Sequence, residues 1–140
     1  MAPQTRIVRG MRIGGTLAEF TRSTSRVRYF KNAKVRTPRI TAKGPQELRK
    51  LAKFNQTVID RLLTKYMQKP TPILFINDVS MYLQAGMLED ILKIVDKADT
   101  FIANGYFGKK LEEDLGSGIS KQERTLMKRL MKEMDVIIRL

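Results

Sequence analysis

The chain contains no cysteine, no histidine and no tryptophan. Without thiols it forms no disulfide framework. Without thiols or imidazoles it offers neither a zinc-type metal site nor a nucleophilic triad that needs Cys or His. Chemistry is left to carboxylates, lysines, tyrosines, hydroxyls and backbone amides. Long apolar runs are missing as well. The longest, Ile73-Leu74-Phe75-Ile76, is far shorter than the roughly 20 residues that span a bilayer. The opening Met1-Ala2-Pro3-Gln4-Thr5-Arg6 has no apolar h-region. These absences predict a soluble, cytoplasmic protein with no membrane partner.

Acidic residues are scarce in one half only. The 140 residues carry a formal net charge of +13. Residues 1–70 hold 17 basic and 3 acidic side chains, a net +14, and residues 71–140 hold 10 and 11, a net −1. Such asymmetry points to a polyanion-facing half joined to an ordinary half. A 42% hydrophobic content is ordinary for a globular chain, so the charge excess does not imply disorder.

Periodicity predicts an α/β fold: a single domain at 1–140, with a mostly parallel sheet flanked by helices. Residues 1–44 form a basic strand and loop region, and 45–140 form a helix followed by an alternating strand-helix core. Arg6 to Ile13 alternates like a strand and runs into Gly14-Gly15, and Thr16 with Glu19 fits a capping box. Arg26 to Lys31 reads as a half-exposed strand, and Val35 to Ile40 as a strand broken by Pro38. Pro45 to Gln68 is the clearest helix, with a stripe of Leu48, Leu51, Phe54, Val58, Leu62 and Tyr66 widened by Ile59 and Leu63. Ile73 to Ile76 is a strand expected to be buried on both faces, followed by a helix through Leu88, Ile91, Leu92 and Val95. Thr100 to Ala103 is the next strand. Ser120 and Glu123 suggest a second capping box, and Val136-Ile137-Ile138 a closing strand.

Three sets of residues are candidates for function. Arg22, Arg26, Arg28, Lys31 and Arg36, with Tyr29 as a stacking ring, combine phosphate contacts with an aromatic face, as binders of single-stranded RNA or DNA do. The same residues equally suit a solvated basic surface or one closed by an acidic protein partner. Asp78, just past a buried strand, stands where an acid holds a magnesium ion beside nucleotide phosphates, or else it caps the following turn. Gly14, Gly15 and Thr16 offer backbone amides to a phosphate, and Asn104, Gly105 and Lys109, with Tyr106 and Phe107 between them, open on the same sheet edge as Asp78. Plain turns account for both loops equally well. No G-x-x-x-x-G-K-[ST] phosphate-binding loop occurs; the only Gly-Lys pair, Gly108-Lys109, is followed by Lys110.

The order of elements over residues 73–140 resembles the second half of a P-loop NTPase of the nucleotide-kinase-like nucleoside triphosphatase group. The resemblance rests on the strand ending in Asn77-Asp78, a helix, the strand Thr100-Phe101-Ile102-Ala103, a helix and Val136-Ile137-Ile138. Met11-Arg12-Ile13-Gly14-Gly15-Thr16 is faintly similar to that group's strand with paired glycines. The resemblance implies that Asp78 takes the place of the acid that supports magnesium. The chain departs from the group in lacking the Walker A loop and in having Asn77-Asp78 where Asp-Glu is usual. Three expectations follow: a degenerate relative that binds nucleotide or nucleic acid without catalysis, a fragment lacking the first strand and its loop, or an unrelated α/β protein. The alternative function is a magnesium-dependent NTPase or kinase-like enzyme that uses Asp78 with a P-loop from a partner chain.

Overall fold

The structure is a computed structural model that describes residues 6–8, 10–13, 15–31, 34–108 and 113–139. It is a mixed helix and strand fold. Strands β1 (Arg6–Val8) and β2 (Met11–Ile13) form an antiparallel hairpin in which Val8 faces Met11. The expected single strand is therefore folded in two. Gly10, at φ 76°, supplies the left-handed turn residue that a side chain would strain.

Two short 3₁₀ turns follow, Leu17–Glu19 and Arg22–Arg26. The first has the predicted capping partners: the Glu19 carboxylate accepts both the amide and the hydroxyl of Thr16, at 2.8 and 2.9 Å. The predicted strand at Arg26 to Lys31 is not formed. Hydroxyls compete for the backbone just before it, Thr21 accepting from the Ser23 amide and Ser25 donating to the Arg22 carbonyl, and this favours a tight turn. The strand expected at Val35 to Ile40 is likewise absent. Its place is taken by one helical turn, α1 (Pro38–Thr41), because proline at the first helical position already has the helical φ and needs no amide partner.

Helix α2 (Pro45–Gln68) matches its predicted span. Pro45 stands at its first position, the Glu47 carboxylate accepts the Lys43 amide, and Lys69-Pro70 ends it. Leu48, Val58, Ile59, Leu63 and Tyr66 are buried as expected, but Phe54 is exposed beneath the Arg36 guanidinium and Asn55 is wholly buried instead. Asn55 accepts the Arg36 amide at 2.8 Å and donates to its carbonyl at 3.0 Å, which fastens the 35–36 segment to the helix.

Strand β3 (Ile73–Ile76) pairs in parallel with β4 (Thr100–Ala103), Ile73 opposite Thr100 and Ile76 opposite Ala103. Helices α3 (Ser80–Leu83) and α4 (Leu88–Val95) form the crossover, and α5 (Ile119–Lys132) packs on both. The parallel part of the sheet thus has two strands among the described residues. It is not buried on both faces: Ile76 is buried and Leu74 half-buried, whereas Ile73 and Phe75, on the opposite side of the pleat, are 66% and 45% exposed. Val136 to Ile138 does not close the sheet as a strand. It is irregular and exposed, with no ladder partner among the described residues.

The core joins Ile59, Ile76, Val79, Tyr82, Leu83, Ile91, Ile94, Met127 and Leu130. Tyr82 is fully buried, yet its hydroxyl donates to Asp60, at 2.8 Å, and lies 3.2 Å from Asp90. Burial first, and these two carboxylates next, push the Tyr82 phenol far above its ordinary range, so it stays protonated. A Cβ at Gly86 would stand 2.4 Å from the Tyr82 ring, so glycine there makes room for it. No helix among the described residues is long and apolar enough to cross a membrane.

Candidate functional site

The carboxyl ends of β3 and β4 are tied together by Asn104. Its side-chain oxygen accepts the Asp78 amide at 2.6 Å and its carbonyl accepts the Val79 amide at 2.9 Å. Asp78 is held there in a left-handed conformation, φ 63°, which aspartate tolerates better than most residues but at a cost in strain. Ser80 sits at the centre. Its hydroxyl donates to Asp78 Oδ1 at 2.7 Å and accepts the Tyr106 amide at 3.1 Å. A Cβ at Gly105 would come within 3.0 to 3.3 Å of Met127, Val79 and the Ser80 amide, so Gly105 allows the two strand ends to close on each other.

Glu123 approaches this cluster from α5. It is 3% exposed and bonded to Arg39 of α1, whose guanidinium also reaches the Ser120 hydroxyl at 3.1 Å. The capping box expected from Ser120 and Glu123 is therefore not formed. Gly118, at φ 81°, precedes α5, and Asp114 accepts the Ser120 amide at 2.9 Å and the Gly116 amide at 3.1 Å. With the helix terminus served by Asp114, Glu123 is available to pair with Arg39. Burial pushes the carboxyls of both Asp78 and Glu123 upward. The Ser80 hydrogen bond opposes the shift at Asp78, and Arg39 opposes it at Glu123.

Of the residues predicted for nucleotide phosphates and metal, Asp78, Asn104 and Gly105 are brought together at the strand ends. Gly14 and Lys109 lie outside the described residues. Thr16 lies elsewhere, lining a mostly apolar groove of about 580 Å³ beside β3 together with Arg28, Tyr29 and Lys31. For a magnesium ion, the groups within reach of one another are Asp78, Ser80 and the far carboxylate Glu123. No set of three or more acidic residues suited to a metal occurs among the described residues. Asp78 with Ser80 suits an ion held chiefly by phosphate oxygens and water, as magnesium usually is, while the Glu123 carboxylate is engaged by Arg39.

The predicted nucleic-acid residues divide. Arg22, Arg26, Lys31 and Arg36 are exposed. Arg28, although exposed, is occupied: its guanidinium donates to the Lys65 and Lys69 carbonyls at the end of α2 and lies 4.8 Å from the Phe30 ring centre. It serves that helix terminus, where a cation offsets the dipole. Tyr29 is half-buried in the groove wall.

Sequence reading missed Arg39 and Glu123 as a pair, because 84 residues separate them and Glu123 matched a local capping pattern. It also missed Ser80, whose only signal is its place two residues after Asp78. Comparison with protein-family models, curated proteins and solved structures finds no match to this chain.

Proposed function

We propose that the chain is an α/β module that binds nucleic acid or nucleotide phosphates through its basic N-terminal half, without catalysis of its own. One observation supports this above others. Residues 1–70 hold only three acids, Glu19, Glu47 and Asp60, and each carboxylate accepts a local or core hydrogen bond, from Thr16, the Lys43 amide and Tyr82 in turn. The basic side chains Arg22, Arg26, Lys31, Arg36, Lys50, Arg61 and Lys65 are meanwhile left exposed. Seventeen basic side chains against three carboxylates give this half a strong positive field in solvent, the footprint of polyanion contact.

The test is a salt titration of binding to single-stranded RNA and DNA. Five phosphate contacts would lower affinity by about a hundredfold between 50 and 200 mM salt. Binding that is absent at low salt, or indifferent to salt, would overturn the reading. An acidic protein closing the same face would instead leave little affinity for either nucleic acid.

A second reading, magnesium-dependent nucleotide hydrolysis centred on Asp78 with a phosphate loop from a partner chain, draws support from the strained Asp78 backbone at the strand end. In it Asp78 and Ser80 would hold the ion, which would neutralise phosphate charge. Hydrolysis measured with magnesium for the wild type and Asp78→Asn decides it: equal background rates remove it.

A further inference from the structure

In a parallel ladder a residue turns its amide and its carbonyl to the same neighbouring strand, and the next residue turns both the other way. Two bonds bracket the β3–β4 ladder and fix its phase. Thr100 donates to the Pro72 carbonyl at 2.9 Å, and Asn104 donates to the Ile76 carbonyl at 3.2 Å. Leu74 and Ile76 therefore face β4, whereas the backbone groups of Ile73 and Phe75 face away from it. The Thr71 hydroxyl donates to the Ile73 carbonyl at 2.9 Å. The Phe75 amide and carbonyl have no hydrogen-bond partner among the described residues.

This open edge borders the groove of about 580 Å³. Every residue of β3 lines that groove and no residue of β4 does, so it lies on the side of β3 away from its partner. The chain carries a strand-forming segment that would suit it. Val136-Ile137-Ile138 is exposed, joins no ladder among the described residues and is not seated in the chain's own groove. Charge agrees as well. The exposed acids Glu133 and Asp135 lead into the segment, while the groove lining contains no acid and includes the exposed bases Arg28 and Lys31.

We propose that the groove receives residues 136–138 of a second copy, paired with the outer edge of β3, and that the exchange is reciprocal about a two-fold axis. A strand added to a sheet edge gains main-chain hydrogen bonds and seats alternate side chains beside it. The size fits a stable dimer. Twenty residues line the groove and residues 136–139 add four, so each copy contributes about two dozen, within the roughly 20–30 a side of a standard interface. This assembly is independent of the basic-face reading and uses a different part of the molecule.

The test is sedimentation equilibrium of the full chain over roughly a hundredfold range of concentration, in salt that screens charges beyond about 8 Å. The mass rises from one chain to two and stops there, as a closed two-fold exchange requires. Ile137→Lys puts a charge in the inserted segment. Phe75→Pro removes the outward amide and spares the ladder, since proline is tolerated where an edge amide faces outward. Each weakens dimerisation about tenfold or more. Mixing the two variants restores association, because the groove of one and the segment of the other are intact. Phe75→Lys replaces Phe75→Pro if proline prevents folding. A chain that stays monomeric throughout, even one whose groove takes an acidic protein instead, overturns the proposal. So does a mass that climbs past two chains, dimerisation unchanged in either folded variant, or a mixture that associates no better than its components.

Discussion

On α2, Lys50, Arg61 and Lys65 hold their charges in water, whereas at the strand ends Asp78, Arg39 and Glu123 hold theirs largely out of it. An exposed charge contributes little to folding and is free to meet a distant polyanion. A buried charge depends on one neighbour, and losing that neighbour leaves a desolvated ion. The first region therefore speaks to binding and the second to the integrity of a site. Substitutions should separate the two cleanly.

The largest effect is expected from Arg39→Ala, which strands Glu123 in the interior. Urea unfolding should show a loss of about 3–5 kcal/mol, and replacing both partners by apolar residues of similar volume should restore much of it. Next comes Tyr82→Phe, which deletes the hydroxyl between Asp60 and Asp90. It should cost about 1–3 kcal/mol in the same assay, because a buried carboxylate contact is lost.

The pH response is a gentler probe of the same cluster. Asp78 and Glu123 are raised by burial, so above the ordinary carboxylate range the folded protein binds more protons than the unfolded chain. Their contribution to stability therefore falls as pH rises through that window and recovers on acidification. Thermal unfolding of Asp78→Asn should show a weaker version of this trend than the wild type; an identical pH profile would place Asp78 in an environment like water. The smallest folding effect belongs to α2. Lys50→Ala or Arg61→Ala should change stability by no more than about 0.5 kcal/mol, while each lowers the salt slope of nucleic-acid binding by about 1 if that side chain meets a phosphate.

How much of this was legible in the sequence follows from the range of the forces involved. Helix α2, β3, α4 and β4 are written in local periodicity, proline placement and apolar runs, and all four stand where those signals put them. The errors have the opposite character. Asn55 is buried because its amide matches the Arg36 backbone, a contact between side chain and a remote segment that no hydrophobic count registers. Glu123 left its expected cap because Asp114, outside the four-residue pattern, reached the Ser120 amide and Arg39 offered a stronger partner. Asp78, Asn104 and Gly105 were found because a strand end is a local landmark. Arg39 was not, because nothing near it in sequence announces Glu123.

The one-sided β3–β4 sheet has a consequence for the protein's behaviour in bulk. Ile73, Phe75 and Ile102 on its open face, and the exposed Val136 to Ile138 segment, are the kind of surface through which chains adhere to one another. What opposes this is mutual repulsion between molecules that each carry +13. Colloidal stability and ligand attraction would then draw on the same field, so concentrated solutions should be clearest at low ionic strength and turn turbid as salt shortens the screening length.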